Sequence, residues 1–219
     1  MTVVNVRHEA CEARSGGGRE IAFWLLLLGS WMMLNSPAWP NQLLGGLGSA
    51  AFLVLAFGSL GRLHAMGMEF AQWNAAPARY WLWATALGLA AGSAGLWVAH
   101  LAHSRIKVAE NWRVFLLQVA LGPVLEEVLF RGYLMRLLLW MLRAHDKAIA
   151  VAAAALLSGI AFGAIHFLRP GTTWNEVGII SGVGAIYGGI RVASDSSATA
   201  AVSHAVYNVT LHIGTAVFL

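Results

Sequence analysis

Two adjacent carboxylates and an arginine lie within one long apolar stretch of this chain, residues 112–142. Glu126, Glu127 and Arg131 are ionisable groups in a segment that otherwise has the composition of a membrane-spanning helix. An ionisable side chain at the centre of a bilayer costs about 2.5 to 3.5 kcal/mol on insertion scales, so these three must face other protein groups. Intramembrane charges of this kind usually serve function, which makes them the first candidates for chemistry.

Helical spacing indicates different tasks for the two glutamates. Glu127 and Arg131 are four residues apart, on one helix face and in the order that favours an ion pair, whereas Glu126 lies about 100° around the helix. One carboxylate can therefore be neutralised within its own helix while the other stays available as a base. Gly122 and Pro123 should either begin a helix just before the glutamates or kink a longer one, and either outcome opens the backbone next to Glu126.

Two other apolar runs carry polar residues at the same four-residue spacing. Phe162 and His166 lie near the end of one run, and His204 and Asn208 lie in the last one, with His212 one turn further as a supporting or structural residue. A lone histidine on an apolar face is usually a buried residue whose hydrogen bonds are satisfied within the core. A set of such residues on several helices can also be a purely structural polar cluster that holds the helices together. This set contains a carboxylate base, two imidazoles and an amide donor, which are the groups needed to attack a carbonyl with water. We therefore favour a hydrolytic site.

The composition indicates an all-α, polytopic transmembrane helix bundle with its active site inside the bundle. Of 219 residues, 58% are hydrophobic and only 11% are charged, and the mean hydropathy is +0.66, whereas roughly 25% of residues are charged in a soluble domain. The net charge is +4, but Lys and Arg are scattered singly between apolar runs, so we expect no nucleic-acid partner. The single cysteine, Cys11, excludes an intramolecular disulfide.

Seven apolar runs, most of them long enough to cross a bilayer, predict about seven spans. They cover residues 21–34, 43–60, 80–101, 112–142, 148–168, 176–191 and 198–219. We divide the chain into a flexible tail at residues 1–20, accessory spans at 21–111 and a catalytic core at 112–219. More Lys and Arg residues fall on the side of the tail than on the other, so the positive-inside rule places the N-terminus in the cytoplasm.

Three motifs in order resemble the signature of the CPBP family of intramembrane proteases. They are EEVLFR at 126–131, FGAIH at 162–166 and HAVYN at 204–208, which are similar to the family pattern E-E-x-x-x-R, F-x-x-x-H and H-x-x-x-N. That family includes CAAX prenyl endopeptidases together with bacteriocin-processing and immunity relatives. The resemblance covers residues 114–218, about half of the chain, and leaves the first three spans unassigned.

The resemblance implies a role for each motif residue. Glu126 would activate water with help from His166, and His204 and Asn208 would stabilise the oxyanion. Glu127 would act close to the reaction, and the site would be supported by Arg131 and Phe162.

A metal is the open alternative. The chain has no H-E-x-x-H motif and therefore no zincin site, but Glu126, His166 and His204 could ligate Zn²⁺ and leave a fourth position open. The glutamate-and-water mechanism needs no metal, and we favour that form.

We predict an intramembrane endopeptidase that acts on a membrane-anchored peptide or protein. The bias towards Ala, Gly, Leu and Trp looks bacterial, which suggests the inner membrane as location and C-terminal sorting tails or bacteriocin-type precursors as substrates. One alternative is a proton-coupled transporter, which predicts a repeat between the two halves of the chain that we do not find. Another is a non-catalytic immunity or partner membrane protein, which predicts that Glu126→Gln leaves function intact.

Overall fold

The computed structural model describes residues 76–101, 106, 109, 111–167 and 172–218, and all the regular structure within these ranges is helical. The predicted all-α class is therefore confirmed for the described part of the chain. The tail and the first two predicted spans lie outside the described residues, so the division into tail, accessory spans and core stays a prediction. Residues 76–164 and 175–218 belong to one compact unit, and residues 165–167 and 172–174 belong to a second.

Five long helical stretches form the described structure. Helix α1 spans Ala78–Leu101, and after a gap comes one irregular stretch made of five consecutive pieces. These pieces are α2 (Trp112–Leu116), the π-helical segment π1 (Leu117–Leu121), α3 (Gly122–Glu127), the second π-helical segment π2 (Val128–Leu134) and α4 (Met135–Met141). Three further helices follow, α5 (Lys147–His166), α6 (Trp174–Ser194) and α7 (Ser197–Phe218).

Three of these helices, α1, α5 and α6, are long and apolar enough to cross a membrane, counting only the described residues. Large apolar side chains such as Leu82, Trp97 and Leu156 are exposed on them, as expected of surfaces that face lipid tails, which are themselves as apolar as leucine. Helix α7 and the irregular stretch are not among the three, so the total of about seven spans stays a prediction.

Pro123 accounts for the first π-helical segment, π1. The N–H of Gly122 donates to the carbonyl of Leu117, five residues back, which is the wider register of a π-helix. In that register the carbonyl of Gln118 would pair with residue 123, and proline has no N–H to donate. The helix therefore continues through Pro123, and π1 frees the carbonyl of Gln118, eight residues before Glu126, next to which the opening was predicted. Such π-segments are rare and frequently lie at functional sites.

Glycines on α1 let it pack closely on α7. A Cβ atom at Gly88 would run into the backbone carbonyl of Ser203, and one at Gly92 would lie 2.7 Å from Cβ of Thr210. Small residues at this spacing are the usual means by which helix backbones approach each other in a membrane. The close approach sets the position of α7, the helix that carries His204 and Asn208.

Gly88→Ala is expected to destabilise the protein, because the added methyl group must push α1 and α7 apart, and overpacking typically costs about 1 to 3 kcal/mol. Gly182→Ala is the matched control, since nothing lies within 4 Å of a Cβ atom at Gly182. Alanine favours a helix by about 1 kcal/mol over glycine in both variants, so their difference isolates the clash. Thermal unfolding in detergent should show a lower midpoint for Gly88→Ala alone; equal midpoints would contradict the close packing.

Candidate active site

Glu127 is the hub of a fully buried ionic cluster. Its Oε1 atom lies 3.0 Å from Nη1 of Arg131 and 3.0 Å from Nδ1 of His204, and the Glu127 side chain has no exposed surface. The first contact is the ion pair that the four-residue spacing predicts, and it is confirmed. The second joins residues 77 positions apart, which spacing alone did not predict. Arg131 balances the negative charge of the Glu127 carboxylate. A carboxylate oxygen can only accept, so it accepts a hydrogen bond from Nδ1 of His204.

Arg131 links π2 to α6. Its Nη2 atom donates to the backbone carbonyl of Gly184 on α6, and its guanidinium carbon lies 4.8 Å from the ring centre of Phe162 and 5.3 Å from that of Tyr187. Attraction between a cation and aromatic faces is strongest where water is excluded, as it is here. A Cβ atom at Gly184 would lie 3.0 Å from the Phe162 ring and 3.1 Å from Nη2 of Arg131, so glycine leaves room for the contact. The structure thus brings together Arg131 and Phe162, the two predicted supporting residues.

The imidazole of His204 is restrained on three sides. The ring of Tyr187 stacks on it at 4.9 Å with an interplanar angle of 21°, and the ring of Phe162 meets it edge-on at 5.5 Å. Its Nδ1 atom is bound by Glu127. The remaining nitrogen, Nε2, faces Oε2 of Glu126 at 3.8 Å.

Oε2 of Glu126 and Nε2 of His204 face each other at a distance that a bridging water could span. A distance of 3.8 Å is too long for a good direct hydrogen bond, but one water molecule can lie about 2.8 Å from both atoms. Only 9% of the Glu126 side chain is exposed. A carboxylate and an imidazole nitrogen that share one water in a buried place are suited to general acid–base chemistry.

Asn208 lies one helical turn beyond His204 and contacts π1. Its Nδ2 atom donates to the Gln118 carbonyl at 2.7 Å, the carbonyl that Pro123 leaves without a helical partner. An amide nitrogen carries two hydrogens, so one N–H of Asn208 is left for another acceptor. The predicted oxyanion donor is therefore already held by the same irregular stretch that carries the glutamates.

His166 is the last residue of α5 and is buried. It falls in the second compact unit, with residues 165–167 and 172–174. Its predicted role in activating water stays a prediction.

Residues 108–210 match the family model described as type II CAAX prenyl endopeptidase Rce1-like. This segment is therefore similar to the Rce1-like family. The match covers slightly less than half of the chain and includes all three motifs, so the predicted resemblance is confirmed. No curated protein and no solved structure matches the chain significantly.

The Rce1-like match supports a CAAX-type intramembrane endopeptidase in general terms. Together with the three membrane-capable helices, it also supports an integral membrane protein that acts on a peptide or protein substrate.

The predicted metal alternative depends on how the acidic and histidine side chains of this segment are arranged. Among the described residues, no three His, Cys, Asp or Glu side chains form a group that could hold one. Glu126 and Glu127 contact opposite nitrogens of the His204 ring, so the two carboxylates and the imidazole do not converge on one point. The predicted Zn²⁺ alternative, with Glu126, His166 and His204 as ligands, includes only one of these two carboxylates and stays a prediction.

Three residues of this site escaped the sequence analysis, namely Tyr187, Gly184 and Gln118. Tyr187 and Gly184 lie in a glycine-rich run that gave no sign of which face is buried. The sequence contains one indication of the role of Gln118. Pro123 lies five residues after it and lacks the N–H that could pair with the Gln118 carbonyl.

Tyr187 should stabilise the folded protein through its ring and not through its hydroxyl. The hydroxyl is buried and has no hydrogen-bond partner within the described part of the chain. Tyr187→Phe removes a buried unsatisfied group and should leave the unfolding midpoint unchanged or raised. Tyr187→Leu removes the stack on His204, and aromatic pairs contribute about 0.5 to 1.5 kcal/mol beyond area burial, so its midpoint should fall. Thermal unfolding in detergent compares the variants, and a Tyr187→Phe midpoint as low as that of Tyr187→Leu would contradict this assignment.

Proposed function

We propose that this chain is an intramembrane endopeptidase in which Glu126 is the general base that activates water. The observation that carries the proposal is the division of labour between the adjacent glutamates. Glu127 is bound to Arg131 and to Nδ1 of His204, whereas Glu126 presents Oε2 to the other nitrogen of the same imidazole. This arrangement lies within the Rce1-like segment.

In the proposed reaction, Glu126 accepts a proton from water, assisted by His166, and the water oxygen forms a bond to the carbonyl carbon of the substrate. The carbonyl oxygen becomes an oxyanion, which accepts hydrogen bonds from Nε2–H of His204 and from the second N–H of Asn208. Such donors act most strongly where water is excluded. Glu126 then gives the proton to the leaving nitrogen, the C–N bond breaks, and a carboxylic acid and an amine are released.

Glu127 has a distinct part in this scheme. For Nε2 of His204 to donate a hydrogen bond, both ring nitrogens must carry protons, and the ring is then a cation. The carboxylate of Glu127 lies 3.0 Å from Nδ1 and stabilises that cation. Arg131 holds the carboxylate in place for this contact.

The substrate we propose is a protein or peptide held in the membrane close to its cleavage site. The Rce1-like description names a CAAX prenyl endopeptidase, and the composition of the chain favours a bacterial inner membrane with the N-terminus in the cytoplasm. Two substrate classes agree with the family description and with this location, namely C-terminal sorting tails and bacteriocin-type precursors.

The test is cleavage by the purified protein in lipid nanodiscs. A pool of membrane-tethered peptides and the same peptides without the tether are incubated with the protein, and mass spectrometry locates the new termini, with and without a strong chelator. We expect cleavage of tethered peptides that survives the chelator. Cleavage that stops with chelator and returns with Zn²⁺ would overturn the metal-free scheme, and a folded protein that moves protons across liposomes but cuts no peptide would favour the transporter.

A further inference from the structure

A ring of three hydrogen-bonding contacts joins π1 to α7 beside the candidate site. The backbone carbonyl of Gln118 accepts from Nδ2 of Asn208 at 2.7 Å, and the side-chain oxygen Oε1 of Gln118 lies 2.7 Å from Nε2 of His212. The ring is completed within α7, where Nδ1 of His212 lies 2.8 Å from the backbone carbonyl of Asn208. The Rce1-like motifs include only one of these three residues, Asn208.

The first contact fixes the direction of the Asn208 amide. A carbonyl oxygen can only accept, so Asn208 must turn its NH₂ group, and not its oxygen, towards Gln118. One N–H of Asn208 then donates to the Gln118 carbonyl, and the plane of the Asn208 amide determines the direction of its other N–H. The Gln118 carbonyl is available for this contact. In the register of π1 it would accept from the N–H of residue 123, but that residue is a proline and has no N–H.

The other two contacts hold Gln118 against α7. Because the backbone carbonyl of Asn208 only accepts, Nδ1 of His212 carries a proton and donates to it. The other ring nitrogen is thereby turned towards the Gln118 side chain, and the edge contact between the rings of His212 and Phe115, at 5.5 Å, restrains the imidazole further. The stretch that carries Glu126 is thus tied to the helix that carries Asn208 at one fixed place.

We propose that Pro123, Gln118 and His212 are positioning residues, which act through Asn208 by aiming its second N–H at the oxyanion; this rests on the proposed function. Pro123 keeps the Gln118 carbonyl free, Gln118 binds the amide, and His212 holds Gln118. None of the three touches the reacting atoms.

Pro123→Ala is the decisive variant, because it supplies an N–H that competes with Asn208 for the Gln118 carbonyl. Loss of a single oxyanion donor typically lowers kcat about 10²- to 10³-fold, and we expect misdirection of the donor to lower kcat by about tenfold or more with KM unchanged. Pro77→Ala, in the turn before α1, is the matched control and should keep wild-type kinetics. A fall in kcat/KM that comes from KM alone would contradict the proposal.

A double-mutant cycle separates positioning from general destabilisation. If Pro123 acts through Asn208, Pro123→Ala should have no further effect on kcat in an Asn208→Ala background, and the same should hold for His212→Phe. Independent effects that multiply would overturn the proposal.

A third readout needs no activity. With ¹⁵N-asparagine labelling, the side-chain amide of Asn208, assigned by its absence in Asn208→Ala, should be protected from hydrogen exchange in the wild type and lose that protection in Pro123→Ala. Retained protection in Pro123→Ala would overturn the role of Pro123. A wild type that shows the protection but cleaves no peptide would instead defeat the proposed function and leave the hydrogen-bonded ring intact.

Discussion

Glu126→Gln is expected to lower the rate of peptide cleavage by about 10²- to 10⁴-fold, the range that a positioned general base contributes. Glutamine has the size and shape of glutamate and can still hydrogen bond to a water between it and His204. It cannot accept the proton that the water must lose. The measurement is the initial rate of cleavage of a tethered peptide in nanodiscs, together with the unfolding midpoint to show that the variant is folded.

The matched control for this variant is Glu176→Gln, at an exposed glutamate in the first turn of α6. The same chemical change is made there outside the ionic cluster, so the cleavage rate should stay at the wild-type level. A folded Glu126→Gln protein that cleaves at the wild-type rate would remove Glu126 from the mechanism. It would also favour the non-catalytic partner that the sequence left open.

Arg131→Met is expected to lower the free energy of unfolding by about 3 to 5 kcal/mol, the usual effect of removing one partner of a buried ion pair. Both side chains of the pair have no exposed surface. The variant leaves the Glu127 carboxylate buried without its cation and the Gly184 carbonyl without its donor. Equilibrium unfolding in mixed micelles measures the loss, and Arg143→Met, at an exposed arginine beyond the end of α4, is the control.

The double variant Glu127→Gln with Arg131→Met should recover much of the lost stability, because no unpaired charge remains buried. Cleavage should not recover with it, since the neutral amide of Gln no longer stabilises a His204 cation. Stability losses that simply add in the double variant would show that the two side chains do not act as a buried pair.

The sequence predicted those parts of the site that depend on spacing along one helix. The pair between Glu127 and Arg131 follows from their four-residue separation. The contact between Glu127 and His204 could not be predicted in this way, because it depends on how α7 is rotated against π2. The catalytic roles of Glu126, His166 and Asn208 stay predictions.

The irregular stretch shows a different limit of sequence reasoning. Pro123 correctly marked where the helix departs from α geometry, but a proline is compatible with a helix start, a kink or a π-segment. Which one forms depends on whether the carbonyl it leaves free finds another donor. Here that donor is Asn208, 90 residues away in sequence from Gln118, and only the packed structure reveals it.

The restraints on His204 determine when the entropic cost of ordering its ring is incurred. Stacked on Tyr187, met edge-on by Phe162 and bound at Nδ1 by Glu127, the imidazole has lost its rotational freedom before any substrate arrives. Folding therefore bears that cost once, and it does not recur with each substrate. In the proposed reaction, the remaining entropy barrier would therefore belong to the peptide and the water, which would meet a ring that is already ordered.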